Sequence, residues 1–209
     1  MRLDHVSYVA SHDQISDVVN RIGSQIGTAF IDGGIHPKFG TRNFTAPLLN
    51  GQYIEVVCPM DHPATDLTPF GKVVKNKANE GGGWLAWVFN VEDISKLENK
   101  LSRKAVQGTR MKPDGTELRW KQIGVSDISE NPCKPFFIEW DTNAHPAKDG
   151  IATAKIIEIN FFESKLDLSR IVPSENNLSD IKYSLSNSNT ESGINQIIFL
   201  VGNNEIAIL

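Results

Sequence analysis

The sequence predicts an α+β protein built from paired βαβββ modules. Three observations carry that expectation. First, residues 53–63, YIEVVCPMDHP, and residues 137–146, FIEWDTNAHP, share an aromatic residue, Ile, Glu, a large apolar residue and a later His-Pro. Glu55 and Glu139 lie 84 residues apart (139 − 55). Second, WLAWVFNVEDI at 84–94 lies against HVSYVASHDQI at 5–15 without a gap. Third, both stretches read strand, helix, then three strands. An internal repeat of this kind marks a duplicated structural unit.

The first module spans residues 1–60. Leu3 to Ala10 alternates, with Leu3, His5, Ser7 and Val9 on one face and Val6 and Tyr8 on the other. From Asp13 onward, Ile15, Val18, Val19, Ile22 and Ile26 follow helical spacing, and Gly27 is placed to end the helix. TAFID at 28–32 reads as a strand and GGIHPKFG as a loop. RNFTAPLL and QYIEVV then form a hairpin around Asn50-Gly51, a pair suited to positive φ.

Residues 61–83 form a connection with one short helix. Thr68 is its expected cap, Pro69 suits its first turn, and Gly81-Gly82-Gly83 interrupts the chain. The second module, 84–146, repeats the order. Ile94, Leu97 and Leu101 mark its helix, Pro113-Asp114-Gly115 its turn, and PFFIEWD its last strand. A third, partial module at 153–209 contains AKIIEINFF, a helical reading for SKLDLSRIV, then IKYSLS, INQIIFLV and EIAIL. It lacks an equivalent of Glu55. The expected whole is a curved, partly closed mixed sheet with this shorter βαβββ-like segment at its C-terminal side.

Composition narrows the functional classes. The chain has 209 residues, 21 basic and 25 acidic, with a formal net charge of −4. No basic cluster suggests nucleic acid, and no apolar run is long enough to span a bilayer. Asp4 and His5 interrupt any signal-like segment, and Cys58 and Cys133 sit in no CxxC pattern. Both features point to a cytoplasmic protein with reduced thiols.

A Glu inside an apolar strand is costly unless it is paired or placed on a solvent face. Strand alternation sends His5 and Glu55 of module one, and Trp84 and Glu139 of module two, toward a shared cleft. One imidazole and two carboxylates form a reasonable divalent-metal donor set. The structural alternatives are a core histidine and two edge-strand glutamates. His36 and Asn43 lie where the loop and strand reach the cleft rim, and Trp120 is long enough to reach it. Trp87 and Trp140 read as core, and His62 and His145, each before Pro, as turn residues.

The segments LDHVSYVA, HPKFGTRN, YIEVV, GGWLAWVFNVEDI, PDGTELRW and PFFIEW resemble the vicinal oxygen chelate superfamily, and within it the glyoxalase-like domain proteins. The resemblance covers about residues 1–146. It implies a divalent metal held by His5, Glu55 and Glu139, with either glutamate able to serve as general base and no organic cofactor. It also implies a small oxygen-rich substrate, contacted by His36, Asn43, Trp84 and Trp120, and lyase, isomerase or dioxygenase chemistry. Trp84 departs from the family pattern, because it occupies the expected fourth-ligand place and indole does not bind metal. A metal-free protein that binds or sequesters a small molecule in the same cleft is the alternative reading. The third module has two ways to bury its apolar strands: against the first two modules, or in a two-fold homodimer, which the sequence reading favours.

Overall fold

The computed structural model describes residues 1–162, 181–186 and 192–209. The first module comprises β1 (Arg2–Val9), α1 (Ile15–Ile26), β2 (Ile31–His36), β3 (Thr41–Pro47) and β4 (Tyr53–Pro59). The connection carries α2 (Pro63–Leu67) and α3 (Pro69–Asn79). The second module comprises β5 (Gly83–Asn90), α4 (Ser95–Leu101), β6 (Val106–Met111), β7 (Glu117–Ile123), α5 (Val125–Glu130) and β8 (Phe136–Trp140). Eight strands close into a barrel in the order β1-β4-β3-β2-β6-β7-β8-β5. In each module the first strand runs parallel to the last, and the two first strands pair antiparallel. Closure goes further than the partly closed sheet expected from the sequence.

Local signals explain the ends of the elements. Gly27 caps α1 at φ 68°. The Thr68 side chain accepts from Gly71 N ahead of Pro69, as its placement suggested. Asn50 and Gly51 both adopt positive φ at the hairpin. The repeated His-Pro pairs have one job. His62 accepts from Ala64 N and His145 from Ala147 N, each capping a turn that begins with proline.

The connection holds two helices where one was expected, and α5 separates β7 from β8 where the strands were expected to follow each other. One strand boundary also differs from the expectation. β2 runs through GGIH, which reads as loop, rather than through TAFID. Gly34, at φ 91°, lies so close to the Met111 carbonyl that a side chain would collide with it. The glycines therefore let β2 meet β6 where the two modules join, through Ile35 and Met111.

The C-terminal strands β9 (Ala154–Phe162), β10 (Lys182–Ser186), β11 (Gly193–Val201) and β12 (Asn204–Ile208) form a separate sheet in the order β10-β9-β11-β12. The helix expected at SKLDLSRIV lies outside the described residues. This sheet packs on the outer face of β5. Trp87 lies 5.1 Å from Phe161 between ring centroids, and Trp84 Nε1 donates to Ile208 O at 2.9 Å. The apolar strands that raised the expectation of a second copy thus have a partner within the chain. On the inside, Phe70, Val73 and Val74 of α3 share a core cluster with Val9, Val57, Ala86 and Val88.

Candidate functional site

A bulge sets the first part of the site. Between Leu3 and His5 the register of β1 against β5 shifts by one residue, so consecutive residues Asp4 and His5 are both buried. His5 Nδ1 lies 3.1 Å from Asp4 Oδ2, and its ring stacks on Tyr53 at 4.4 Å. Asp4 also receives Trp140 Nε1 at 3.1 Å and faces His145 Nε2 at 3.1 Å and Arg2 at 3.2 Å. Because His145 Nδ1 accepts from Ala147 N, its Nε2 carries the proton and donates to Asp4. Burial opposes the charge on Asp4, but the bonds from His145 and His5 outweigh it. The carboxyl is held well below the ordinary range.

The second part is a chain of polar side chains across the first module. Glu55 Oε2 accepts from Ser7 Oγ at 2.8 Å, and Oε1 accepts from Asn43 Nδ2 at 2.6 Å. Asn43 Oδ1 in turn accepts from Arg110 Nη1. Burial raises the Glu55 carboxyl, but the imidazoles of His5 and His36 and the bonds from Asn43 and Ser7 bring it below its ordinary value. Arg110 is 3 % exposed, and its side chain makes no other hydrogen bond or ion pair to the described residues. Burial lowers its pKa. Gly33 makes the Asn43–Arg110 contact sterically possible, since a Cβ there would overlap both side chains.

Around this chain stands an aromatic wall. His36 bonds Thr41 Oγ1 at 2.9 Å and lies edge-on to Trp120 at 5.6 Å and Phe70 at 6.4 Å. Burial, and then Arg110, push its pKa down to about 3, so it is neutral near pH 7. Gly108 has no side chain to obstruct the Trp120 indole lying over it. Trp120, Phe136, Ile138 and Trp140 complete the second-module side of a cavity of about 30 Å³. That volume suits one or two waters, so any larger occupant must displace side chains.

The structure brings His5, His36, Asn43, Glu55 and Trp120 to this cavity. Glu139 and Trp84 lie elsewhere. Glu139 follows Ile138, which points inward, so alternation sends it out. There it accepts from Lys121 Nζ at 2.9 Å and from Ile94 N at 2.6 Å. Trp84 is turned outward by a second bulge. Ser7 pairs with Ala86 but Tyr8 pairs with Trp84, so Leu85 is extra and the alternation reverses. Trp84 meets Tyr8 at 5.0 Å on the outer face.

The ladders also correct the repeat register. His5 pairs with Tyr53 and Val88 with Phe136, each 48 residues further on (53 − 5 and 136 − 88). The structural counterparts of His5 and Glu55 are therefore Val88 and Ile138. The matching IEV and IEW triplets are out of step by one residue.

Four contributors escaped the sequence reading: Asp4, Tyr53, Arg110 and Gln122. Arg110 carried one usable signal, since it belongs to the repeated Gly-Thr-Arg at 40–42 and 108–110. Its burial depends on barrel closure.

These residues do not fit a divalent-metal site of three or four ligands. Both oxygens of Glu55 already accept hydrogen bonds, and the positions facing it from module two are Val88 and Ile138. Arg110 adds a positive charge just beyond Asn43. Among the described residues no three His, Cys, Asp or Glu side chains converge as a metal ion requires.

A family model described as a glyoxalase-like domain matches residues 3–186. A hypothetical protein from Staphylococcus aureus has the same fold, with a TM-score of 0.71 and 18 % identity over 97 % of this chain and 92 % of its own. A methylmalonyl-CoA epimerase from Mycobacterium tuberculosis is similar at a TM-score of 0.45 and 15 % identity, over 66 % of this chain and 85 % of its own. One from Streptomyces coelicolor, in complex with 2-nitronate-propionyl-CoA, gives 0.46 and 14 %, over 70 % and 97 %. The comparison with curated proteins returns no match.

Proposed function

The chain belongs to the glyoxalase-like domain family of the vicinal oxygen chelate superfamily, and from that premise we propose that its barrel interior binds a small molecule through an oxyanion held by Arg110, without a metal ion. One observation carries this reading. A guanidinium that is 3 % exposed has a single neutral side-chain partner, Asn43, while the carboxylates of Glu55, Asp149 and Asp32 act on it only through space, without contact. A buried cation normally has an anionic partner in contact. A ligand carboxylate or similar oxyanion would supply it, and Arg is suited to such planar groups. The aromatic and aliphatic side chains of module two would take the apolar body of the ligand.

Glu55 is a poor candidate for the base, because both oxygens are engaged and its pKa is lowered. A second reading keeps the metal-dependent enzyme, since His5 and Glu55 share the cavity. Calorimetric titration with acetate, pyruvate and butyrate, together with metal analysis of the purified protein, separates the two. Binding of an acid in metal-free protein, lost in Arg110→Met, is the expected result. A stoichiometric divalent ion that disappears in His5→Ala would instead support the metal-dependent enzyme.

A further inference from the structure

A second cavity, of about 120 Å³, lies beside the first and shares two of its walls, Phe70 and Gln122. It is lined by the apolar Phe39, Ile123 and Val125 and also by Lys38, Arg103 and Lys104, of which Arg103 is paired with Asp127 and Lys104 with Glu98, and Val106 stands 41 % exposed at its margin. Gln122 is 6 % exposed. Its Oε1 accepts from Trp120 Nε1 at 2.9 Å, while its Nε2 makes no hydrogen bond to the described residues. The Nε2 donor is not sealed from solvent but opens where the two cavities adjoin, so a ligand oxygen or water can accept from it there.

The register gives the direction of the site. On the β6–β7 ladder Arg110 pairs with Leu118, Gly108 with Trp120, and Val106 with Gln122. Arg110 and Gln122 are thus four ladder positions apart, about 13 Å along the strands at the usual rise. Between them the Trp120 indole lies over the Cβ-free Gly108. The sequence of surfaces is a buried cation, an aromatic platform, an amide donor, and an outer cavity that is mainly apolar, with Lys38, Arg103 and Lys104 also in its lining.

We infer that the two cavities are the head and tail compartments of one site, and that its ligand is a medium-chain carboxylic acid with an oxygen function along the chain. The inference rests on the reading of Arg110 as the anion anchor. The carboxylate pairs with Arg110, the chain crosses Trp120, the oxygen accepts from Gln122 Nε2, and the tail enters the outer cavity. Phe70 stands between the compartments and must turn aside for the chain to pass. No bond is made or broken by this proposal; it specifies a ligand class.

The test is a titration series of acetate, butyrate, hexanoate, octanoate and decanoate, read by calorimetry and by the intrinsic tryptophan fluorescence, to which Trp120 and Trp140 contribute from the inner cavity. Affinity is expected to rise about fourfold per methylene as the tail fills the outer cavity, the value for full apolar burial, and then to level off. The variant Val106→Trp narrows the outer cavity from an exposed position where folding tolerates a change. It should reduce octanoate affinity at least tenfold and leave acetate affinity unaltered. Acids that bind through Arg110 with no dependence on chain length would overturn this inference and leave the anion-binding function standing. No binding of any acid, or binding indifferent to Arg110→Met, would overturn that function and the inference with it. Equal losses for octanoate and acetate in Val106→Trp would also count against separate compartments.

Discussion

Ile54-Glu55 on β4 and Ile138-Glu139 on β8 are the same dipeptide on corresponding strands, and the barrel uses them in opposite ways. On β4 the glutamate faces inward and anchors a buried chain from Ser7 to Arg110. On β8 the isoleucine faces inward, and the glutamate outside caps the start of α4 and pairs with Lys121. The same contrast extends to the two halves of the barrel. Module one contributes His5, Ser7, His36, Asn43, Tyr53 and Glu55, while module two contributes Trp120, Phe136, Ile138 and Trp140 together with two polar groups, Arg110 and Gln122. A duplicated unit has thus become a two-sided pocket, mainly polar on one wall and, on the other, mainly aromatic and aliphatic around one cation and one amide. A one-residue change of phase in a strand is enough to do this, because side chains alternate with period two.

The contrast can be broken most severely at Trp84. If it packs outside, Trp84→Ala removes a filler between the barrel and the second sheet and should cost about 4 kcal/mol. Chemical denaturation checks this, and Trp84→His should gain no affinity for divalent ions. Next, Glu55→Ala leaves Asn43 and the Arg110 charge without their anion and should cost about 3 kcal/mol. A loss under 1 kcal/mol would show that Arg110 is satisfied by some other group.

A gain-of-function change sharpens the register. Val88→His with Ile138→Glu places donors at the structural counterparts of His5 and Glu55. A divalent ion at a hundredfold excess over its Kd should then stabilise the double variant by about 2.7 kcal/mol, read as a rise in Tm, and leave the parent unaffected.

The polar wall also predicts a pH dependence. Unfolded His36 takes up a proton below about 6.5, whereas folded His36 does so only near 3. The unfolded chain therefore binds more protons across that window, and stability falls as pH drops through it. The slope contributed is at most about 1.4 kcal/mol per pH unit. His36→Phe should flatten the stability profile between pH 6.5 and the carboxylate range. Asp4 and Glu55, with lowered pKa values, add their own loss only below about pH 4. The smallest effect belongs to Glu139→Ala, about 1 kcal/mol, because it removes a helix cap and a partly exposed ion pair. A loss as large as that of Glu55→Ala would refute the comparison.

By itself the sequence determined the order of the eight barrel strands along the chain, the duplication, the caps at Gly27 and Thr68, the Asn50-Gly51 turn, and the inward placement of His5 and Glu55, but not the second helix of the connection or α5 between β7 and β8. All the features so determined depend on local spacing, on turn chemistry, or on alternation along a stretch of strand without a bulge, which for β1 begins at His5; the bulge at Asp4 takes Leu3 off the face it was expected to share with His5. Only the tertiary structure decided the rest. The bulge at Leu85 reversed Trp84, and Ile138 rather than Glu139 came to face Glu55, because strand phase is set by the ladder against neighbouring strands. Arg110, exposed in any isolated hairpin, became buried when β6 met β2 over two glycines. Asp4 came to tie β1 to β5, β8 and the turn at Pro146–Lys148 only because closure carried Asn90, Trp140 and His145 to it. Such contacts join residues more than eighty positions apart, and the free energy that fixes them is that of the closed barrel.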